Sequence, residues 1–511
     1  MKRVLKFLSS LIALFLLPIL SFSIEGNLID MVTKRAMSTF NVPGIAVAVV
    51  KDGEIVHMKG YGLASLDTKA PVDENTLFAI ASNSKAFTSA ALSILVKDGV
   101  LKWDSRVCDI IPEFRLYDPY VTQAFTIRDL LSHRGGLGLG AGDLMIWPDG
   151  SDFTAKDVIF NLRFLKADSP FRTKYNYNNL MYIVAGEVIA RVSGNSWEEF
   201  VEERIISPLK MVRSAASFDR LKDKSNVIDP HAPVNGVVKV IEMKLNPMAN
   251  AAGGIYSSVS DMAKWVSAQM RTREYEDTWV PHTIIPVKGA TTYKTHFSSY
   301  ALGWRVSDVE GYEMVTHTGG LSGVLTQVTM IPELELGIVV FTNQQSSEAF
   351  SSITNTILDS YLGIKDRDRI AENKMRLERA LAEELKVMSE VQKVVDKAER
   401  EMERAYLESF CGTYVDNWLG SVKIELSREG LRFSSSRSPS LSGGVNFYKG
   451  NTFIVKWDDR SLNADAFIMF SLDSEGLPDG FTMKAVSPLI DFSYDFQDLL
   501  FKKVIINFSM K

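Results

Sequence analysis

Gly44 to Val50 is an unbroken β-rich apolar run, and Glu54 to Gly60 follows it across an Asp52-Gly53 turn, the pattern of a hairpin. Three more strand-like runs stand far along the chain, at Tyr312 to Thr316, Leu325 to Ile331 and Leu336 to Thr342, with a Pro332-bearing turn between the last two. Between these ends, Lys85 to Lys97, Leu180 to Val192, Trp197 to Ile206 and Ser260 to Gln269 carry apolar residues at helical spacing. A sheet built from both ends of a domain, with helices inserted, predicts an α+β fold: an antiparallel sheet flanked by helices, plus an all-helical subdomain.

The pattern then changes twice. From Lys365 to Leu407 charge is dense, Gly and Pro vanish, and Leu377, Leu381, Leu385, Met388, Val391, Val395 and Met402 recur mostly every three or four positions. That predicts one long amphipathic helix with a single buried stripe. Because the stripe lacks a clean heptad, a connector lying on the preceding domain is favoured over a coiled-coil seam. After Gly412 the period becomes two: Val422, Ile424 and Leu426 alternate with polar residues, and Leu431 and Phe433 follow a Glu429-Gly430 turn. Further short strands at Phe453 to Trp457, Ala466 to Phe470 and Phe481 to Ala485 complete the signature of a small antiparallel barrel or sandwich.

Composition narrows the function classes. The 511 residues are 46% apolar and 23% charged, with a formal net charge of −5, so no basic face for nucleic acid is expected. Lys2, Arg3 and Lys6 precede an apolar run from Phe7 to Leu20, and Ser21-Phe22-Ser23 offers a cleavage site after Ser23. The expectation is an exported protein, periplasmic or secreted, touching a membrane only if that N-terminal segment stays uncleaved as an anchor. Cys108 and Cys411 are expected to remain unbridged, and six scattered histidines show no metal-ligand spacing. No metal or cofactor is expected.

The chemistry concentrates in three places. Ser82-Asn83-Ser84-Lys85 opens a helix, with Ser82 and Lys85 three apart on one face. A serine hydroxyl becomes a nucleophile when a neighbouring base takes its proton, and a desolvated lysine is such a base. The helix start also offers free N–H groups to an oxyanion. Alone this motif is weak, since a capping serine and a solvated lysine account for it better. Tyr177-Asn178-Asn179 precedes the next long helix, and its tyrosine can relay a proton. His317-Thr318-Gly319-Gly320 ends a strand whose small residues let a substrate lie along it. The three stand in order, about 95 and then about 140 residues apart.

This trio resembles the serine β-lactamase and penicillin-binding protein superfamily, in its class C-like branch with esterase, D-aminopeptidase and DD-carboxypeptidase relatives. Tyr177 stands where other branches have serine, and His317 where they have lysine. Leu130 to Leu137, Gly253 to Ser257 and Gly319 to Gly323 are similar to that family too. The resemblance implies a leader at 1–23, a β-lactamase/transpeptidase-like hydrolase domain at 24–364, a connector helix at 365–407 and an appended β-barrel at 408–511. It implies that Ser82 is the nucleophile, and that Lys85 and Tyr177 move its proton. Asn179 would hold a substrate amide, His317, Gly319 and Gly320 would line the substrate site, and the N–H groups of Ser82 and Gly320 would form the oxyanion hole. His133 and Asp261 are read as structural. The implied substrate is a small D-amino-acid peptide, peptidoglycan fragment, other cell-wall-derived amide, or ester, cleaved through an acyl-enzyme. The alternative is a non-catalytic muropeptide- or β-lactam-binding sensor on the same fold. Because every motif precedes the connector, Ser82 is expected to stay reactive without the barrel, whose role, covering the cleft or bringing a partner, the sequence leaves open along with the oligomeric state.

Overall fold

The structure is a computed structural model that describes residues 26–272, 274–289, 291–398 and 404–504. The leader at 1–23 lies outside the described residues. The main sheet has eight antiparallel strands: β1 (Gly44–Lys51), β2 (Glu54–Gly62), β3 (Thr283–Ile285), β4 (Ser298–Tyr300), β5 (Arg305–Val309), β6 (Tyr312–Leu321), β7 (Val324–Ile331) and β8 (Leu336–Thr342). Their spatial order is β2-β1-β8-β7-β6-β5-β4-β3, so the first hairpin joins the last strands, with Ile45 opposite Thr342 and Lys51 opposite Leu336.

The apolar run of β1 is continuous because both faces of the sheet are covered. Ala46, Ala48 and Val50 face the large core that they share with Phe87 and Ala91 of α1 (Ser84–Lys97). Ile45, Val47 and Val49 pack the other way, with Ile29 and Val32 of the helix at 26–40 and Ile353 and Ile357 of α4. That last helix spans Ser347–Leu362. Every residue of α1 from Ser84 to Leu95 is buried, which makes it the central helix of the subdomain. Beside it lie α2 (Leu180–Ser193) and α3 (Val259–Thr272), the latter packed on β1 and β8.

The connector is α5 (Arg369–Ala398), and a short helix at Arg404–Ser409 follows it. Both of its ends are anchored, and near its middle Glu384 accepts a hydrogen bond from Ser487 of the barrel. Arg369 is buried and grips Asp359 of α4 through two hydrogen bonds of 2.6 and 2.7 Å, while Val395 packs with Ile454 and Val486. Leu381 and Leu385, expected in the buried stripe, are 48% and 70% exposed. The helix spans from one domain to the other, so its apolar stripe is covered in parts, at Leu377 and from Met388 to Val395, and left open at Leu381 and Leu385. Beyond it, Gly412–Asp416 through Leu500–Lys503 form a closed eight-stranded meander barrel filled by Tyr414, Phe433, Phe453, Phe470 and Phe481. Both cysteines are free.

The barrel docks on the helical subdomain. Arg437 bonds Asp152 at 2.7 Å and stacks its guanidinium 3.9 Å from the Phe153 ring centroid. Ser440 donates to the Asp149 carbonyl at 2.8 Å, and Asn161 to the Trp418 carbonyl at 2.9 Å.

Replacing Arg369 with alanine leaves the Asp359 carboxylate buried without its partner, a change that costs about 3–5 kcal/mol. Thermal or denaturant unfolding should show that loss in the domain that carries α4. An Arg369→Ala protein with an unchanged melting curve would refute the anchoring role.

Candidate active site

The chain reaches Ser82 through a short strand at Phe78–Ala79 and a 3₁₀ turn at Ala81–Asn83, with Ala81 in the left-handed region at φ 51°. This turn sets the half-buried Ser82 hydroxyl at the mouth of α1. Lys85, one turn on, is completely buried. Its Nζ lies 3.0 Å from Ser82 Oγ, 2.8 Å from Asn179 Oδ1 and 2.8 Å from the Ala252 carbonyl. Burial pushes the amine down to about 7, against the opposing pull of the Asp143 carboxyl. A neutral amine has two N–H donors and one lone pair. Asn179 and Ala252 offer only acceptors to it, so in that state the lone pair faces the Ser82 hydroxyl.

Tyr177 and Tyr182 flank the amine, with ring centroids 5.0 and 5.3 Å from Nζ. Burial raises the Tyr177 phenol well above its ordinary value, and the adjacent Ser82 hydroxyl only partly offsets this. Tyr177 is therefore a neutral phenol at pH 7, suited to passing a proton rather than acting as a standing phenolate. His133 packs 4.2 Å from the Tyr177 ring, ring centre to ring centre, and its Nδ1 accepts the Asn178 N–H at 3.1 Å. That is a holding role for the Tyr177 turn. Asp261 accepts from the Arg213 and Ser214 N–H groups at 2.8 and 3.0 Å and likewise holds a backbone turn.

Two residues expected to meet substrate are engaged otherwise. Asn179 spends its amide oxygen on Lys85, and its Nδ2 donates to Asp143 at 2.7 Å, leaving one N–H for a ligand. Gly319 is buried and does not border the cavity. A Cβ there would stand 2.3 Å from the Ile80 carbonyl oxygen and 2.5 Å from Thr326 Oγ1, so the glycine lets β6 lie against the Ser82 turn. Gly320, the next residue, is exposed to the cavity.

His317 borders the cavity with both nitrogens already bonded. Nδ1 lies 2.6 Å from the Thr318 carbonyl, which only accepts, so the proton sits on Nδ1. Nε2 then accepts from the Tyr300 hydroxyl at 2.9 Å. Burial, with Arg305 and Lys85 nearby, holds this imidazole well below its usual value and keeps it neutral. The cation at this place is Arg305, on β5 opposite Thr316. It borders the cavity, its guanidinium lies 5.7 Å from the Tyr175 ring centroid, and among the described residues no carboxylate pairs with it. β5 pairs with β6 only as far as Thr316, so the same edge of β6 from His317 to Leu321 is unpaired by β5.

These groups share one cavity of about 620 Å³. The catalytic-domain side contributes Ser82, Tyr177, Asn179, His317 and Gly320, and the barrel contributes Ser440, Asp459, Asp491, Phe492 and Tyr494. Phe492 sets its ring edge-on to Tyr177, with centroids 5.7 Å apart. The barrel is thus a wall of the site, a part that the sequence had left open. No motif marks Arg305, Asp143 or residues 491–495, and only strand register and domain docking bring them in.

Fold and site geometry together define a β-lactamase/transpeptidase-like fold with an appended closed barrel. The chain belongs to the β-lactamase family: residues 29–361 match the family model described as "Beta-lactamase". Residues 396–503 match a domain of unknown function, DUF3471. The "Unguisins hydrolase ungD" of Aspergillus violaceofuscus is 34% identical over 371 residues, covering 66% of this chain and 64% of that protein. The chain therefore spans slightly less than two thirds of that relative's length. An octameric penicillin-binding protein homologue from Pyrococcus abyssi shares the fold at 19% identity and TM-score 0.58, over 93% of this chain and 99% of its own. A class C β-lactamase from Rhodobacter sphaeroides does so at 19% identity and TM-score 0.55, over 66% of this chain and 99% of its own.

The Lys85 amine should be the group whose deprotonation turns activity on. kcat/KM should rise with pH through about 7 and level off above it. Lys85→Ala and Tyr177→Phe should each slow acylation by roughly 10²–10⁴-fold, with the double mutant far from additive. Independent, multiplying losses would count against a shared proton transfer.

Proposed function

We propose that the protein is a serine hydrolase that cleaves amide or ester bonds in small substrates through an acyl-enzyme on Ser82. The observation that carries this reading is the buried Lys85 amine, 3.0 Å from a hydroxyl that opens onto a substrate-sized cavity. As Ser82 Oγ attacks the substrate carbonyl, its proton passes to neutral Lys85. The N–H groups of Ser82 and Gly320 stabilise the oxyanion. Tyr177 and Lys85 return a proton to the leaving amine or alcohol, and the acyl group stays on Oγ. Water then attacks the ester, gives up a proton to the same pair, and restores Ser82. The name of the Aspergillus relative supports a hydrolytic role.

Substrate choice follows from the charges around the cavity. A neutral His317 alone would give no attraction for a carboxylate, so carboxylate-bearing β-lactams would react poorly unless an arginine took over. Arg305 supplies that cation. Small peptides and cell-wall fragments with a free carboxylate, along with simple esters, are the proposed substrates. Export through the N-terminal segment is part of the same proposal.

Ser82→Ala should abolish turnover while the protein still folds, and mass spectrometry after fluorophosphonate treatment should place the adduct on Ser82. An adduct elsewhere, or an unlabelled but folded wild-type protein, would favour the binding-protein alternative. Arg305→Ala should lower kcat/KM for carboxylate-bearing substrates by about 10- to 100-fold, corresponding to ~1.5–3 kcal/mol, and spare neutral esters. Equal losses on both substrate types would remove Arg305 from carboxylate recognition.

A further inference from the structure

Asp143 belongs to no motif, yet it is fully buried behind the reactive pair. It sits on a 3₁₀ turn at Asp143–Met145, after Gly142 in the left-handed region at φ 81°. One carboxyl oxygen, Oδ2, accepts from Asn179 Nδ2 at 2.7 Å; the other, Oδ1, makes no bond of good geometry among the described residues, with only the Ser493 side chain of the barrel loop interacting with the carboxyl besides Asn179 as a donor. Burying a carboxyl with an unsatisfied oxygen is costly, so its retention calls for a reason.

That reason lies in the Asn179 amide. An amide side chain has an accepting end and a donating end, and a half-turn about its last bond exchanges them. With its oxygen toward Lys85 it anchors the amine. With its NH₂ there instead, it would repel an ammonium, or draw the neutral amine's lone pair away from Ser82. A carboxylate only accepts, so Asp143 binds the NH₂ end and forces the oxygen toward Lys85.

We infer that Asp143 is a positioning residue, which locks the Asn179 amide in the one orientation that holds Lys85 against Ser82. This rests on the reading of Ser82 and Lys85 as nucleophile and base. The barrel secures the lock: the Gly142 N–H, one residue before Asp143, donates to Asp495 Oδ2 at 2.6 Å. A side chain at Gly140 would strike the Phe492 carbonyl oxygen at 2.5 Å, so the two segments are in close contact.

The carboxyl also acts electrostatically. The charged and titratable groups facing it are Lys85 from α1 and, from the barrel loop, Asp491 and Asp495, the latter beside Asp498. Burial pushes Asp143 up to about 7, with Asp491 adding to the rise and Lys85 opposing it. Asp143 and Lys85 therefore titrate as a pair. Removing the negative charge disfavours the ammonium form of Lys85 and lowers the pH at which the base becomes free.

The test is the rate of fluorophosphonate labelling of Ser82 in the full-length protein, followed across neutral pH, with melting temperatures taken alongside. Asp143→Ala should label roughly ten- to a hundred-fold more slowly on the high-pH plateau, the scale of a misplaced catalytic group. Asp143→Asn keeps an acceptor for Asn179 and drops the charge. It should recover most of that rate and move the acid limb to lower pH. A merely structural residue would lower the melting temperature without moving the limb. Wild-type rates and an unmoved limb in both variants would overturn the inference. Should Asp143→Ala fail to fold, an unmoved limb in Asp143→Asn overturns it alone. If wild-type Ser82 takes no label, the hydrolase reading itself fails and this inference falls with it.

Discussion

A lysine amine sealed from water, with no carboxylate in direct contact, is the constraint to which the rest of the site answers. Desolvation disfavours its charged form, and only neutral acceptors surround it: the Ser82 hydroxyl, the Asn179 amide oxygen and the Ala252 carbonyl. These come from three separate stretches of chain. The helical subdomain exists, in this respect, to bring the start of α1, the turn before α2 and residue 252 to one point. Tyr177 and Tyr182 exclude water on the flanks, and His133 braces Tyr177 from behind. Moving any of these would readmit water and return the amine toward its ordinary charged state.

The sheet and the barrel close the other sides of that point. β6 approaches the Ser82 turn because Gly319 presents no side chain, and it stays open along its next residues because β5 stops pairing at Thr316. The barrel loop then covers Tyr177 with Phe492 and ties Gly142 through Asp495. A cavity whose wall comes from a second domain has a shape that depends on how the two domains are docked. Arg437, outside the cavity, therefore bears on the site through that docking, and Ser440 does so both as a docking contact and as part of the wall.

What could be read from the sequence was what lies close along the chain or repeats with a period. Ser82 and Lys85 face each other because a helix places third neighbours together, and the alternation at Val422 and Ile424 is that of a barrel wall. Gly319 was found in its motif, but its close approach to the Ser82 turn was not, nor were the bonds of Asn179 to Lys85 and Asp143, because spacing says nothing about which partner a residue meets. Arg305 enters the cavity through strand register, Asp143 through a glycine turn, and Asp491 and Phe492 through domain docking. None of these leaves a local signature. The exposed Leu381 and Leu385 show the same limit from the other side: periodicity reports that a helix is amphipathic, and tertiary placement decides where the apolar face is covered.

The pairing of β1 with β8 has a consequence for how this chain acquires its shape. Ile45 finds Thr342 only after about 300 intervening residues have been made, and contacts so distant in sequence slow folding because the loop must close before the contact repays it. The helical segments between them can form early on local contacts. Their common support, the centre of the sheet, cannot. During synthesis the N-terminal hairpin waits with the inner edge of β1 unpaired, and it is the arrival of β8 that turns a collection of helices into a domain.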